Sequence, residues 1–108
     1  MTDNTGRYCV MFTTAGDRPE AERIAGSLVE RGLAACVQLL PIDSIYLWKG
    51  KVEKNGEILL LIKTRSDRVD KATAAIKAVH SYEVPEIIAV PIESGLPEYL
   101  AWIDEVVS

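Results

Sequence analysis

A chain of 108 residues, 48% hydrophobic and 26% charged, has the size and composition of one globular domain spanning residues 1–108. Sixteen acidic against twelve basic residues give a formal charge of −4 without a basic cluster, which argues against a nucleic-acid partner. The polar start, Met1 to Arg7, and the short apolar run Tyr8 to Phe12 suit neither a signal peptide nor a membrane span. Cys9 and Cys36 lie in apolar stretches, so a reduced, cytoplasmic protein is expected, with a disulfide the less favoured alternative.

The first strand is expected over Arg7 to Thr13, with β-forming residues on both sides of its pleat. Asp17 then reads as a helix N-cap with Glu20 at capping-box spacing. Ala21, Ile24, Ala25 and Leu28 follow at helical intervals, and Gly32 supplies the stop. A second strand is expected from Leu33, with Leu33, Ala35, Val37 and Leu39 on one face and Ala34, Cys36, Gln38 and Leu40 on the other. Pro41 marks an edge, a bulge or a bend, and the strand resumes through Ile45 to Trp48.

Lys49-Gly50 and Asn55-Gly56 compete as the hairpin turn. A turn at Lys49-Gly50 pairs Tyr46 to Trp48 with Lys51 to Glu53 and leaves Asn55-Gly56 as a bulge or kink opposite Pro41. Glu57 to Thr64 is the core strand, unbroken in its apolar run Ile58 to Ile62. Helix two is expected from Asp67 to about His80, burying Val69, Ala72, Ile76 and Val79. Ile87 to Ile92 forms the last core strand. Leu96 to Val107 makes a terminal helix with Leu100, Ile103 and Val107 on one face.

The order is the α+β, ferredoxin-like βαββαβ plan with an extra C-terminal helix. Two helices cover only one face of a four-stranded sheet, yet the first, third and fourth strands are apolar on both faces. An apolar face left uncovered in this way implies an oligomer.

The fold alone assigns no function. An RNA-recognition domain needs exposed aromatics on its central strands and a basic surface, and Ile58 to Ile62 carries neither. The loop Thr13 to Arg18 has a single glycine, a poor match to a phosphate cradle and a better one to a plain turn. His80 is the one histidine, without a triad signature around it, and no spacing suggests a preformed zinc site. An enzyme is therefore the least favoured reading.

The segment His80 to Glu86 offers an imidazole, a phenol and two carboxylates. One reading is a metal site, since such ligands suit Cu, Zn or Ni. The plain reading, which the chemistry favours, is a helix end capped by His80 with Glu83 and Glu86 in solvent.

The stretches Gly32 to Val37, Tyr46 to Lys51, Leu61 to Thr64, His80 to Ile88 and Tyr99 to Ile103 together resemble the CutA family of divalent-cation tolerance proteins, in order and spacing from Tyr8 onward. The resemblance implies a homotrimer whose strands join across subunits, similar in architecture to the PII signalling proteins, and tolerance of copper and other divalent cations without a direct enzymatic activity. It also implies a copper site built from a first-strand cysteine, the histidine and a neighbouring acid. Here the histidine is His80, with Glu83 and Glu86 as the acids, but Thr13 stands at the cysteine position. Cys9 lies four residues earlier on the same side of the pleat, about 13 Å away along the strand, and is no substitute.

The expected function is thus a trimer that requires no cofactor and binds a divalent metal weakly, Cu(II) before Zn(II), through His80 with Glu83 or Glu86. The alternative is a PII-like sensor of a small anionic ligand, bound in intersubunit clefts through Lys63, Arg65 and Trp48, with Tyr82 also at the site.

Overall fold

The computed structural model describes residues 2–3 and 6–108, with side chains from residue 6 onward. In chain order the elements are β1 (Thr2–Asp3), β2 (Tyr8–Ala15), α1 (Arg18–Glu30), β3 (Cys36–Trp48), β4 (Lys51–Arg65), α2 (Val69–Val79), β5 (Ile87–Pro91), β6 (Ser94–Gly95) and α3 (Pro97–Val106). A short 3-10 turn, Ser66–Arg68, leads into α2. Four strands form an antiparallel sheet in the order β3-β4-β2-β5, and β1 pairs with β6 in a small separate ladder. This is the ferredoxin-like arrangement with a third helix appended, as the sequence predicts. Among the described residues no helix is long and apolar enough to cross a membrane.

Period-two alternation sorts the sheet into two faces. On one, Cys9, Met11 and Ala15 of β2 with Leu60 and Ile62 of β4 pack against Ala21, Ile24 and Leu28 of α1 and Ala72, Ala75 and Ile76 of α2. On the other, Val10, Phe12, Leu59 and Leu61 are only half-buried, and Leu40, Ile88 and Val90 are exposed. The third helix covers one end of that face, where Tyr8, Ala35, Leu100, Ile103 and Val107 form a second cluster. The rest of the face stays apolar and open.

The hairpin turns at Lys49-Gly50, with φ of 50° and 80° at the two residues, the left-handed pair that a two-residue type I′ turn requires. The expected bulge at Asn55-Gly56 is corrected. One register runs unbroken from Cys36 opposite Lys63 to Trp48 opposite Lys51, and Gly56 faces Asp43. Pro41 is tolerated because β3 is an edge strand.

Three local expectations also shift. Alternation begins at Cys36 rather than Leu33, because Leu33 and Ala34 both enter the helix-side core. On α2, Val79 is 62% exposed, and Ala75 takes the place expected for it in the buried stripe. Cys9 and Cys36 are free thiols on opposite faces of the sheet, Cys9 opposite Thr64 and Cys36 opposite Lys63, so they form no disulfide with each other.

Candidate functional site

The α2–β5 connection carries the polar cluster that the sequence singles out. The helix ends at Val79, and His80 leaves it in an extended conformation (φ −76°, ψ 139°) that turns the imidazole inward. Its side chain is 1% exposed. Nδ1 accepts the Tyr82 backbone N–H at 3.0 Å. The ring proton therefore sits on Nε2 and is donated to the Thr14 carbonyl at 2.6 Å.

Glu20 lies behind the ring, with Oε2 3.8 Å from Nδ1. This carboxylate accepts the Ser81 N–H at 2.8 Å, the Ser81 hydroxyl at 3.0 Å and the Gly16 N–H at 3.3 Å. Burial opposes its ionisation, but these donors and the nearby imidazole outweigh burial and hold its pKa below the ordinary value. Asp17 caps α1 as expected, its Oδ1 accepting the Glu20 N–H at 2.9 Å. The reciprocal arm of the capping box is redirected, because the Glu20 side chain ties the α2–β5 turn to the end of β2.

Beyond this lock lies a pocket of about 580 Å³ between the β3 arm of the hairpin and the α2–β5 turn. Ser44, Ile45, Tyr46 and Trp48 form one wall, Tyr82, Glu83, Val84 and Glu86 the other, with Thr14 and Glu57 also lining it. Glu57 is 8% exposed, and its Oε2 accepts the Tyr82 hydroxyl at 2.7 Å. Burial, followed by that hydrogen bond to Glu57, pushes the Tyr82 phenol far above its ordinary pKa, so it remains a donor. At the rim, the Lys49 ammonium lies 5.6 Å from the Trp48 ring centre and 3.9 Å from Glu83 Oε2.

The expected residues are only partly brought together. Glu83 and Glu86 both line the pocket, but His80 does not join them as a ligand, because each ring nitrogen already has a protein partner. Among the described residues no three His, Cys, Asp or Glu side chains are grouped to hold a metal. Metal binding by His80 with Glu83 or Glu86, as the sequence leads one to expect, would require one of these two hydrogen bonds to be exchanged for the metal. Thr13 is fully buried, and its hydroxyl has no hydrogen-bond partner among the described residues.

Of the expected ligand residues, Trp48 and Tyr82 share the pocket, whereas Lys63 bonds to Gln38 at the far end of the sheet. Lys63 faces Cys36, twelve residues and about 40 Å along β3 from Trp48. Arg65 is held by Asp67 at 3.0 Å and by the Val107 carbonyl at 3.0 Å. Sequence reasoning missed Glu57, which simply precedes an apolar run, and the second role of Glu20. It also missed a basic cleft of about 530 Å³ where Arg31, Arg68 and Lys71 converge over Leu33 and the alanines of α2.

Comparison with known proteins agrees with this architecture. A family model described as CutA1 divalent ion tolerance protein matches residues 9–106. The divalent-cation tolerance protein CutA of Archaeoglobus fulgidus is 48% identical over 97 residues, which is 90% of this chain and 95% of that protein. The protein CutA homolog of Xenopus laevis is 48% identical over 104 residues, 95% of this chain and 69% of that one. Against the mouse protein CutA, at 47% identity, the chain spans 58% of the relative's length. The solved structure of the periplasmic divalent cation tolerance protein CutA from Archaeoglobus fulgidus superposes with a TM-score of 0.92 at 46% identity, covering 94% of this chain and 99% of that one. The chain belongs to the CutA1 divalent ion tolerance protein family.

Proposed function

We propose that this chain acts as a non-enzymatic, cytoplasmic homotrimer that binds divalent metal ions weakly, Cu(II) before Zn(II), as part of divalent-cation tolerance. The observation that carries the metal reading is the charge of the hairpin pocket. Glu57, Glu83 and Glu86 line it without converging as a three-ligand group, and no lysine or arginine is among its described lining residues. Carboxylates without a fixed imidazole give modest affinity, and divalent affinity still rises from Zn(II) to Cu(II) in the general order for such ligands. The open apolar face formed by Phe12, Leu61, Ile88 and Val90 supports the trimer. The two free thiols, Cys9 and Cys36, support a reducing compartment.

The alternative, a sensor of a small anionic ligand, draws support from another place than Lys63 and Trp48, namely the Arg31–Arg68–Lys71 cleft. Isothermal titration with Cu(II), Zn(II) and a nucleotide separates the two readings. The metal reading expects saturable heats for Cu(II), weaker ones for Zn(II) and none for the nucleotide. Saturable nucleotide binding with silent metals would replace it by the anion reading.

A further inference from the structure

We infer that the hairpin pocket is shaped for an organic ammonium ion, specifically an alkyl di- or polyamine. The inference rests on the reading of this pocket as a cation site, and it names the class of cation. Glu57 is almost wholly buried at the pocket, yet its described polar partner is the neutral Tyr82 hydroxyl, and no lysine or arginine is within ion-pair distance of it among the described residues. A buried carboxylate without a counter-ion is costly, which favours a cation arriving from outside.

The walls indicate which cation. Tyr46, Trp48 and Tyr82 line the cavity with aromatic side chains, and aromatic faces beside carboxylates attract alkylammonium groups through cation–π and ionic contacts together. A small hard metal ion gains little from such rings.

The chain already displays this chemistry at its own rim. The Lys49 ammonium sits between the Trp48 ring and the Glu83 carboxylate, 5.6 Å from the ring centre and 3.9 Å from the oxygen. A diamine would repeat that contact inside the pocket, one ammonium on Glu57 and the other toward Glu86. Its methylene chain would lie along Trp48 and Val84 in a cavity of about 580 Å³.

The test titrates the protein in its native assembly with putrescine and with spermidine, following heat and the fluorescence of a Trp102→Phe variant that keeps Trp48 alone, beside Cu(II) and a sodium chloride control. Saturable binding of both amines is expected. Glu57→Gln, which keeps the Tyr82 hydrogen bond, should weaken it by about tenfold or more. Trp48→Leu should weaken it by about two- to fivefold. Lys49→Asn keeps a turn-forming pair while removing the competing ammonium, so it should tighten binding. Lys63→Gln should change nothing.

Cu(II) binding without amine binding would overturn this inference and leave the metal reading standing. Silence toward both would overturn both. Amine binding that is unchanged in Glu57→Gln, or that the salt control reproduces, would also refute the pocket assignment.

Discussion

His80 Nε2 donates to the carbonyl of Thr14 across 66 residues of sequence, at 2.6 Å, and this bond fastens the end of α2 to the end of β2. The same ring accepts the Tyr82 N–H and so sets the position of the phenol that reaches Glu57. The imidazole is a strut behind the pocket. His80→Ala should leave the Thr14 carbonyl and Tyr82 N–H without partners and cost about 2–4 kcal/mol in denaturant unfolding. Weak Cu(II) binding should survive in the folded variant, because the pocket carboxylates and not the imidazole would hold the ion. Loss of Cu(II) binding in a folded His80→Ala variant would return the histidine to the role of ligand.

Glu20 gives the same region an acid sensitivity. Its folded pKa lies below the ordinary 4.5, so the unfolded chain takes up the proton more readily. The stabilisation is fully present above pH 4.5 and disappears as pH falls through the lower folded value. Stability measured from pH 6 to 2 should therefore fall more steeply in wild type than in Glu20→Gln, with the two curves converging at the acid end. Parallel curves would mean that the Ser81 and Gly16 donors do not favour the charged carboxylate.

Thr13 carries a cost of its own. Its side chain is fully buried on the helix-facing side of β2, opposite Leu60, and its hydroxyl has no partner among the described residues. Thr13→Val keeps the shape and removes the unsatisfied group, so it should stabilise the protein by about 1 kcal/mol. A destabilised valine variant would reveal a partner for the hydroxyl.

The parts of the fold that read directly from the sequence are those fixed locally. The Asp17 cap, the Lys49-Gly50 turn and the Leu100–Ile103–Val107 stripe depend on residues within a turn or two of one another. Asn55-Gly56 misled because dipeptide preference says nothing about strand pairing, and the continuous β3–β4 register overrides it. The site was less legible. His80 and Glu83 are three residues apart, but the groups that immobilise His80 come from β2, and those that make the pocket come from the hairpin. Proximity in sequence suggested His80 with Glu83 or Glu86 as metal ligands, whereas in the fold both ring nitrogens of His80 meet protein partners.

The turn itself is testable. A Cβ on Gly50 would meet nothing within 4 Å, so Gly50→Ala is opposed only by its φ of +80°. The expected loss is about 1–2 kcal/mol, localised to the hairpin in hydrogen exchange. Lys49→Asn should stabilise the same segment, since Asn accepts the left-handed conformation better than lysine. If neither substitution alters exchange at Trp48 and Lys51, the turn is not what sets the register there.

Adjacent residues of β4 separate folding from assembly. Leu60 is fully buried beneath the helices, whereas Leu61 lies on the open face, half-buried and paired with Phe12. Leu60→Asp places a carboxylate in the core at a cost of several kcal/mol, comparable with the total stability of a domain, and should unfold the chain. Leu61→Asp should leave each subunit folded, because in the isolated chain this side chain is still partly exposed. It should, however, destroy the contact that the proposed trimer needs. Light scattering should then give about 36 kDa for wild type, three times the 11.9 kDa chain, and a folded 11.9 kDa monomer for Leu61→Asp. Wild-type protein that runs as a monomer at micromolar concentration, or a Leu61→Asp variant that remains trimeric with unchanged melting, would show that the open face is not what holds the assembly together.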